Sequence, residues 1–162
     1  MPSKEEFVQQ AAQILSDDGF EMVDASSGDH IAAIRDRETS VLMQVFAKTM
    51  DDGEPVVLIS SLAVSNFKAP APEDLLKLLL VLNGMNSNQY FGTWYFEPDP
   101  PVVVLDHSLF VNHMSPEEFA TMVRVIEGTA DFFDDELSEF LDGDTAKDTL
   151  IKHAERLPRS QI

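Results

Sequence analysis

The chain has 162 residues, no cysteine and a formal net charge of −18. That length suits one domain with a core of its own, and the missing cysteine excludes disulfides, thiolate metal centres and thiol catalysis. The negative charge disfavours phosphate backbones and anionic lipid surfaces, so neither nucleic acid nor membrane is an expected partner, whereas a basic protein surface would be attracted.

At the start, MPSKEEFVQQ places Glu5 and Glu6 directly after Lys4 with no apolar run, unlike a secretory signal. No apolar stretch reaches the roughly 20 residues of a membrane span, so a cytoplasmic protein is expected. Ser3 with Glu6 three positions on has capping-box spacing, and Phe7, Val8, Ala11, Ile14 and Leu15 recur at helical spacing. A helix is therefore expected over 3–18, closed by Asp18-Gly19.

Four strands are expected next, over 20–25, 30–35, 40–48 and 55–64. The turns between them are Ser27-Gly28-Asp29, Asp36-Arg37-Glu38 and Asp51-Asp52-Gly53, and such short connections argue for an antiparallel meander. The fourth strand is nearly continuous in apolar residues, as a covered central strand would be.

A loop over 66–72 leads to Pro72, which is suited to opening a helix. From Leu75 to Leu82 only Lys77 is polar. A helix apolar on all sides is expected to be buried on more than one of them, either at the centre of the core or against a second copy of the chain. Asn83-Gly84 is expected to stop it, with Asn83 and Asn86 as capping and turn residues.

An aromatic strand over 89–97, the stiff turn Pro98-Asp99-Pro100-Pro101 and a strand over 102–111 read as a hairpin. Ser115-Pro116-Glu117-Glu118 combines an N-cap, a first-position proline and a capping-box glutamate. The helix it opens carries Phe119, Met122, Val123, Ile126, Ala130, Phe133, Leu137, Phe140 and Leu141 on one stripe and is expected to end at Gly143. Val125, Gly128 and Phe132 fall opposite that stripe, where either a returning C-terminal helix or another molecule would cover them. A last helix is expected over 145–157, before Pro158.

The expected architecture is one α+β domain over 1–162, an antiparallel sheet with helices packed on it, in the order α-ββββ-α-ββ-α-α. Its core spans about 3–141, with the helix over 145–157 appended.

Candidate chemistry is sparse. In Asp106-His107-Ser108, neighbours on a strand point to opposite faces, so Asp106 cannot orient His107. His107 and His113 lack the tight spacing of zinc ligands, and His30 and His153 stand alone. The run 131–144 holds seven carboxylates without the alternating calcium-loop pattern, and reads as a solvated helix face or a docking surface for a basic partner. No glycine motif for phosphate is present. No catalytic, metal or cofactor-binding residue is assigned. The candidate partner or dimer contacts are Leu79, Leu80, Val125, Phe132 and Trp94.

The element order, the Leu82-Asn83-x-x-Asn86 spacing, the aromatic hairpin and Ser115-Pro116-Glu117-Glu118 together resemble the YbjN family, which is similar in fold to type III secretion chaperones. The resemblance covers about 3–141. It implies a non-enzymatic, homodimeric, protein-binding module, either a sensory transduction regulator or a chaperone holding an extended client. A dedicated secretion chaperone with one client is the alternative. A further one is a small-ligand protein or enzyme using a cleft near Trp94 and Tyr95.

Overall fold

The computed structural model describes residues 4–27, 30–34, 42–49, 55–110, 114–145 and 148. The elements within them run α1 (Lys4–Asp17), β1 (Glu21–Ser27), β2 (His30–Ile34), β3 (Leu42–Thr49), β4 (Pro55–Ser65), α2 (Pro72–Ser87), β5 (Thr93–Pro98), β6 (Pro101–Phe110), α3 (Pro116–Leu141) and β7 (Asp144–Thr145). Through α3 this is the expected α+β order, with β7 added after it.

The first four strands form the antiparallel meander expected of them. β6 then lies beside β4, and β5 forms the outer edge, giving the strand order β1-β2-β3-β4-β6-β5. The hairpin of β5 and β6 is therefore inserted by its second strand, with Ser60 opposite Asp106 and Thr93 opposite Asp106 on the far side. A register shift between Leu62 and Val64 carries β4 past the end of β3, and β7 pairs there with Val64 and Ser65.

Alternation divides β4, β5 and β6 into two faces. On the inner face Ile59, Ala63, Trp94, Val103 and Leu105 are buried against Leu15, Phe20, Phe119, Val123, Ile126, Ala130 and Leu137. The apolar stripe of α3 thus covers the sheet as its spacing predicts, although Phe140 at its far end is exposed. On the outer face Leu58, Ser60, Leu62 and Asp106 are half-buried, and Thr93, Tyr95, Glu97, Ser108 and Phe110 are exposed.

Local capping sets the ends of α3. Glu118 N–H donates to the Ser115 hydroxyl at 3.1 Å, and Ser115 N–H donates to the Glu118 carboxylate at 2.7 Å. Its 26 residues make it roughly 39 Å long. At the far end the left-handed residue is Asp142, at φ 52°, rather than Gly143. Gly143 is needed for a different reason: a Cβ there would lie 2.6 Å from Val64 Cγ1 and 2.9 Å from the Ser65 carbonyl oxygen. The guanidinium of Arg124 donates twice to Asp18, at 2.8 Å each, and ties α3 to the end of α1.

The helix expected over 145–157 lies outside the described residues except for Thr145 and Asp148. Thr145 belongs to β7, and it exchanges hydrogen bonds with Asp148 in a capping arrangement, with Asp148 N–H donating to the Thr145 hydroxyl at 3.3 Å. The turns expected at 36–38 and 51–53, and His113 and His153, also lie outside the described residues.

One core position works against the fold. Ser61 is fully buried on the inner face and its hydroxyl has no hydrogen-bond partner among the described residues. A buried hydroxyl without a partner costs about 1–3 kcal/mol. Ser61→Ala should therefore raise the melting temperature by about 2–4 °C, the shift that about 1 kcal/mol gives a chain of this size. An unchanged or lower melting point in calorimetry would mean that the hydroxyl is satisfied in solution.

Candidate functional site

The helix α2 departs from the sequence expectation in two respects. It does not stop at Asn83-Gly84 but continues to Ser87, with Asn88 as its C-cap. Gly inside a helix costs about 1 kcal/mol relative to Ala. The last turn recovers this by placing Met85 against the core and Asn86 against β5. Nor is the helix buried all round: only Leu78 and Leu82 are buried. Leu76 is 59% exposed, Leu79 46%, Leu80 63% and Val81 43%. The helix packs on the edge strand β5 by one face only, so its remaining apolar side chains face outward. Of the two placements considered for it, the centre of the core is corrected by this geometry.

Asn86 holds the open edge of the sheet. Its amide nitrogen donates to the Trp94 carbonyl at 2.9 Å, and its amide oxygen accepts from Trp94 N–H at 2.6 Å. One side chain thus makes the pair of bonds that a neighbouring strand would make. The turn role expected of Asn86 is corrected accordingly. Asn83 is exposed, and its carbonyl accepts from the Ser87 hydroxyl.

The segment leading into β5 is shaped by Gly92, which has φ +81° and permits a turn that L side chains rarely adopt. The strand begins at Thr93 rather than at residue 89, and Gln89 instead accepts from the Trp94 indole N–H at 2.9 Å. Tyr90 is fully outside and Phe91 is exposed. Gly92 N–H donates to His107 Nδ1 at 3.2 Å, so the neutral ring carries its proton on Nε2. Burial lowers the His107 pKa from its ordinary value, in keeping with that neutral role.

On the other face of β6, the Tyr95 hydroxyl donates to Asp106 Oδ2 at 2.8 Å. Burial first, and then the Asp106 bond and charge, push the Tyr95 phenol well above its ordinary pKa, so it is a fixed donor. Asp106 and His107 therefore serve opposite faces with different partners, and no catalytic set is assembled from 106–108.

The five expected contact residues divide. Leu79, Leu80 and Phe132 present apolar surface, and Phe132 is 74% exposed. Val125 is half-buried. Trp94 is 2% exposed, packed edge-on against Phe133 with ring centres 6.1 Å apart, and its role as a surface contact is corrected: it faces the core because its strand position is an inward one. In the acidic run 131–144, Asp131, Asp135, Glu136, Glu139 and Asp142 are exposed, but Asp134 is 95% withdrawn from solvent. Among the described residues no group of three or more His, Asp or Glu is placed to hold a metal ion, and no described helix is long and apolar enough to cross a membrane.

Residues 7–149 match a family model described as type III secretion system (YopN, CesT) and YbjN peptide-binding chaperone 1, or TY-Chap1. The chain belongs to the TY-Chap1 family. Among solved structures, the TY-Chap1 chain is similar to that of YbjN from E. coli, described as a candidate transcription regulator, with a TM-score of 0.58 and 16% identity. The match covers 84% of this chain and 93% of that one, and at this identity it is a likeness of fold. No curated protein sequence matches. The exposed α2 face and the Asn86 clasp are read from this chain's own geometry.

Proposed function

We propose that this protein is a non-enzymatic peptide-binding chaperone of the YbjN type, acting in the cytoplasm as a homodimer and holding extended protein clients. The observation that carries the reading is the outward row of Leu76, Leu79, Leu80 and Val81 on α2, in a chain of net charge −18. Exposed contiguous apolar side chains mark contact surfaces, and a soluble acidic body suits a partner that must be kept from aggregating. The family description as peptide-binding chaperones supports the same reading. A small-ligand cleft at Trp94 and Tyr95 is disfavoured, because the Trp94 indole N–H is engaged by Gln89 and the Tyr95 hydroxyl by Asp106.

Two tests apply. The protein should suppress the aggregation of a chemically denatured model protein at near-stoichiometric amounts, and no suppression would sink the chaperone reading. Light scattering should give the mass of a dimer, and Leu80→Asp should halve that mass while the protein stays folded, since a charge on an exposed helix position costs little in a monomer but is buried unpaired in a dimer. A wild-type mass of one chain would remove the dimer. A regulator and a dedicated secretion chaperone make the same demands on this surface. Recovery of one stoichiometric client with the tagged protein favours the dedicated chaperone, and recovery of only its own copy favours the regulator.

A further inference from the structure

The outer face of the sheet carries a second feature that the α2 surface does not explain. Asp106 stands midway along β6, one strand in from the β5 edge, directly across from Ser60 on β4 and Thr93 on β5. Its Oδ2 accepts from the Tyr95 hydroxyl, but Oδ1 is shut off from solvent and has no hydrogen-bond partner among the described residues. A carboxylate with half its acceptor capacity unused in such a place is a costly resting state. Around it the same face offers Leu58 and Leu62 of β4 and Val104 of β6. Val104 is buried yet outside the main core, held by its neighbours on the outer face. Glu97, exposed next along β5, adds a second negative charge. The outward positions of β4, β5 and β6 (Val56, Leu58, Ser60 and Leu62; Thr93, Tyr95 and Glu97; Val102, Val104, Asp106, Ser108 and Phe110) include no lysine or arginine.

We propose that this face takes an extended peptide segment in which apolar side chains flank an arginine, with the guanidinium displacing the Tyr95 hydroxyl and pairing with both oxygens of Asp106. The inference rests on the peptide-binding reading and names the sequence class that the site selects. Arginine fits better than lysine because its planar fork meets a carboxylate with two parallel bonds. The Asp106 torsion that presents both oxygens is a broad one, so turning the carboxylate outward is cheap. The flanking apolar side chains fall at every second residue of an extended segment and meet Leu58, Leu62 and Val104.

The test is fluorescence-anisotropy binding of three labelled alternating Val/Thr peptides, with Arg, Lys or Gln at the central position on the Val-bearing side. Measurements at physiological ionic strength screen the long-range attraction of the acidic protein for any cation. The Arg peptide should bind about tenfold more tightly than the Gln peptide, the size of one charge-assisted bidentate contact, with Lys between them. Asp106→Asn should erase that difference, since it removes the charge with which the guanidinium pairs while keeping the side chain's shape. Ser60→Arg keeps Asp106 but supplies a cation from the adjacent strand position, so it should erase the difference as well. Equal binding of the Arg and Gln peptides, or a preference that survives both substitutions, overturns this inference while leaving peptide binding itself intact. Failure of all three peptides to bind overturns it together with the reading on which it rests.

Discussion

Asn86→Ala is expected to lower the melting temperature by about 6–12 °C. The substitution removes both bonds to Trp94, leaving a partly buried N–H and C=O unpaired on the edge strand. Each such loss costs about 1–3 kcal/mol, and about 3 kcal/mol in total translates into that shift for a chain of this size. The identity of the replacement distinguishes a clasp from simple packing. Asn86→Asp retains an acceptor for Trp94 N–H but turns a carboxylate oxygen toward the Trp94 carbonyl. Near neutral pH it should therefore be no better than alanine, and it should improve relative to alanine as the pH falls below about 4 and the carboxyl regains a donor. The exposed edge should also favour self-association, because an unpaired strand edge templates another chain. A wild-type melting curve for Asn86→Ala would show that α2 is held on β5 by its apolar residues alone.

The second large effect is expected at Asp134. This carboxylate is 5% exposed, and burial first, then Asp135 and Asp131 on α3 and Asp148 from the segment that follows, raise its pKa from an ordinary 3.8 to about 7. The Asp135 backbone N–H opposes the shift without cancelling it. The fold therefore prefers the protonated form. Below about pH 4 the side chain is protonated in both folded and unfolded chains and weakens neither. As the pH rises from 4 to 7 the unfolded chain ionises and the folded one resists, so stability is lost across that window and is level above it. Asp134→Asn keeps the shape and removes the charge. It should melt with the wild type near pH 4 and exceed it by up to about 4 kcal/mol at pH 8, or about 8–16 °C. A gain independent of pH would point to packing rather than ionisation, and no gain would place Asp134 in contact with water.

The two substitutions address features that the primary structure announces unequally. The polarity of 131–144 is evident, and helical spacing sets Asp134 beside Ala130 and Leu137 at the margin of the apolar stripe, but only the folded chain buries it and brings Asp148 against it as a further acid. Asn86 is conspicuous by its spacing from Asn83, yet its obvious reading is a helix end. The apolar run 75–82 presents the same difficulty in reverse. Hydropathy indicates that Leu79 and Leu80 avoid water, but not whether their own chain or another one shields them, and here their own chain leaves them outward.

What the amino-acid sequence determined by itself is whatever is settled within a few residues. The Ser115–Glu118 box begins α3, the period of its apolar stripe turns that stripe onto the sheet, and the short polar connections favour a meander of the first four strands, because each involves groups adjacent along the chain. Tertiary structure alone decided that β6 sits between β4 and β5, that β7 prolongs the β3 side of β4, and that Gly143 must lack a Cβ beside Val64. It also decided that Trp94 points inward while Asp106 stands on the open face. These outcomes depend on strand pairing between residues tens of positions apart, where the hydrogen bonds and contacts that choose one register over another do not exist until the chain has folded.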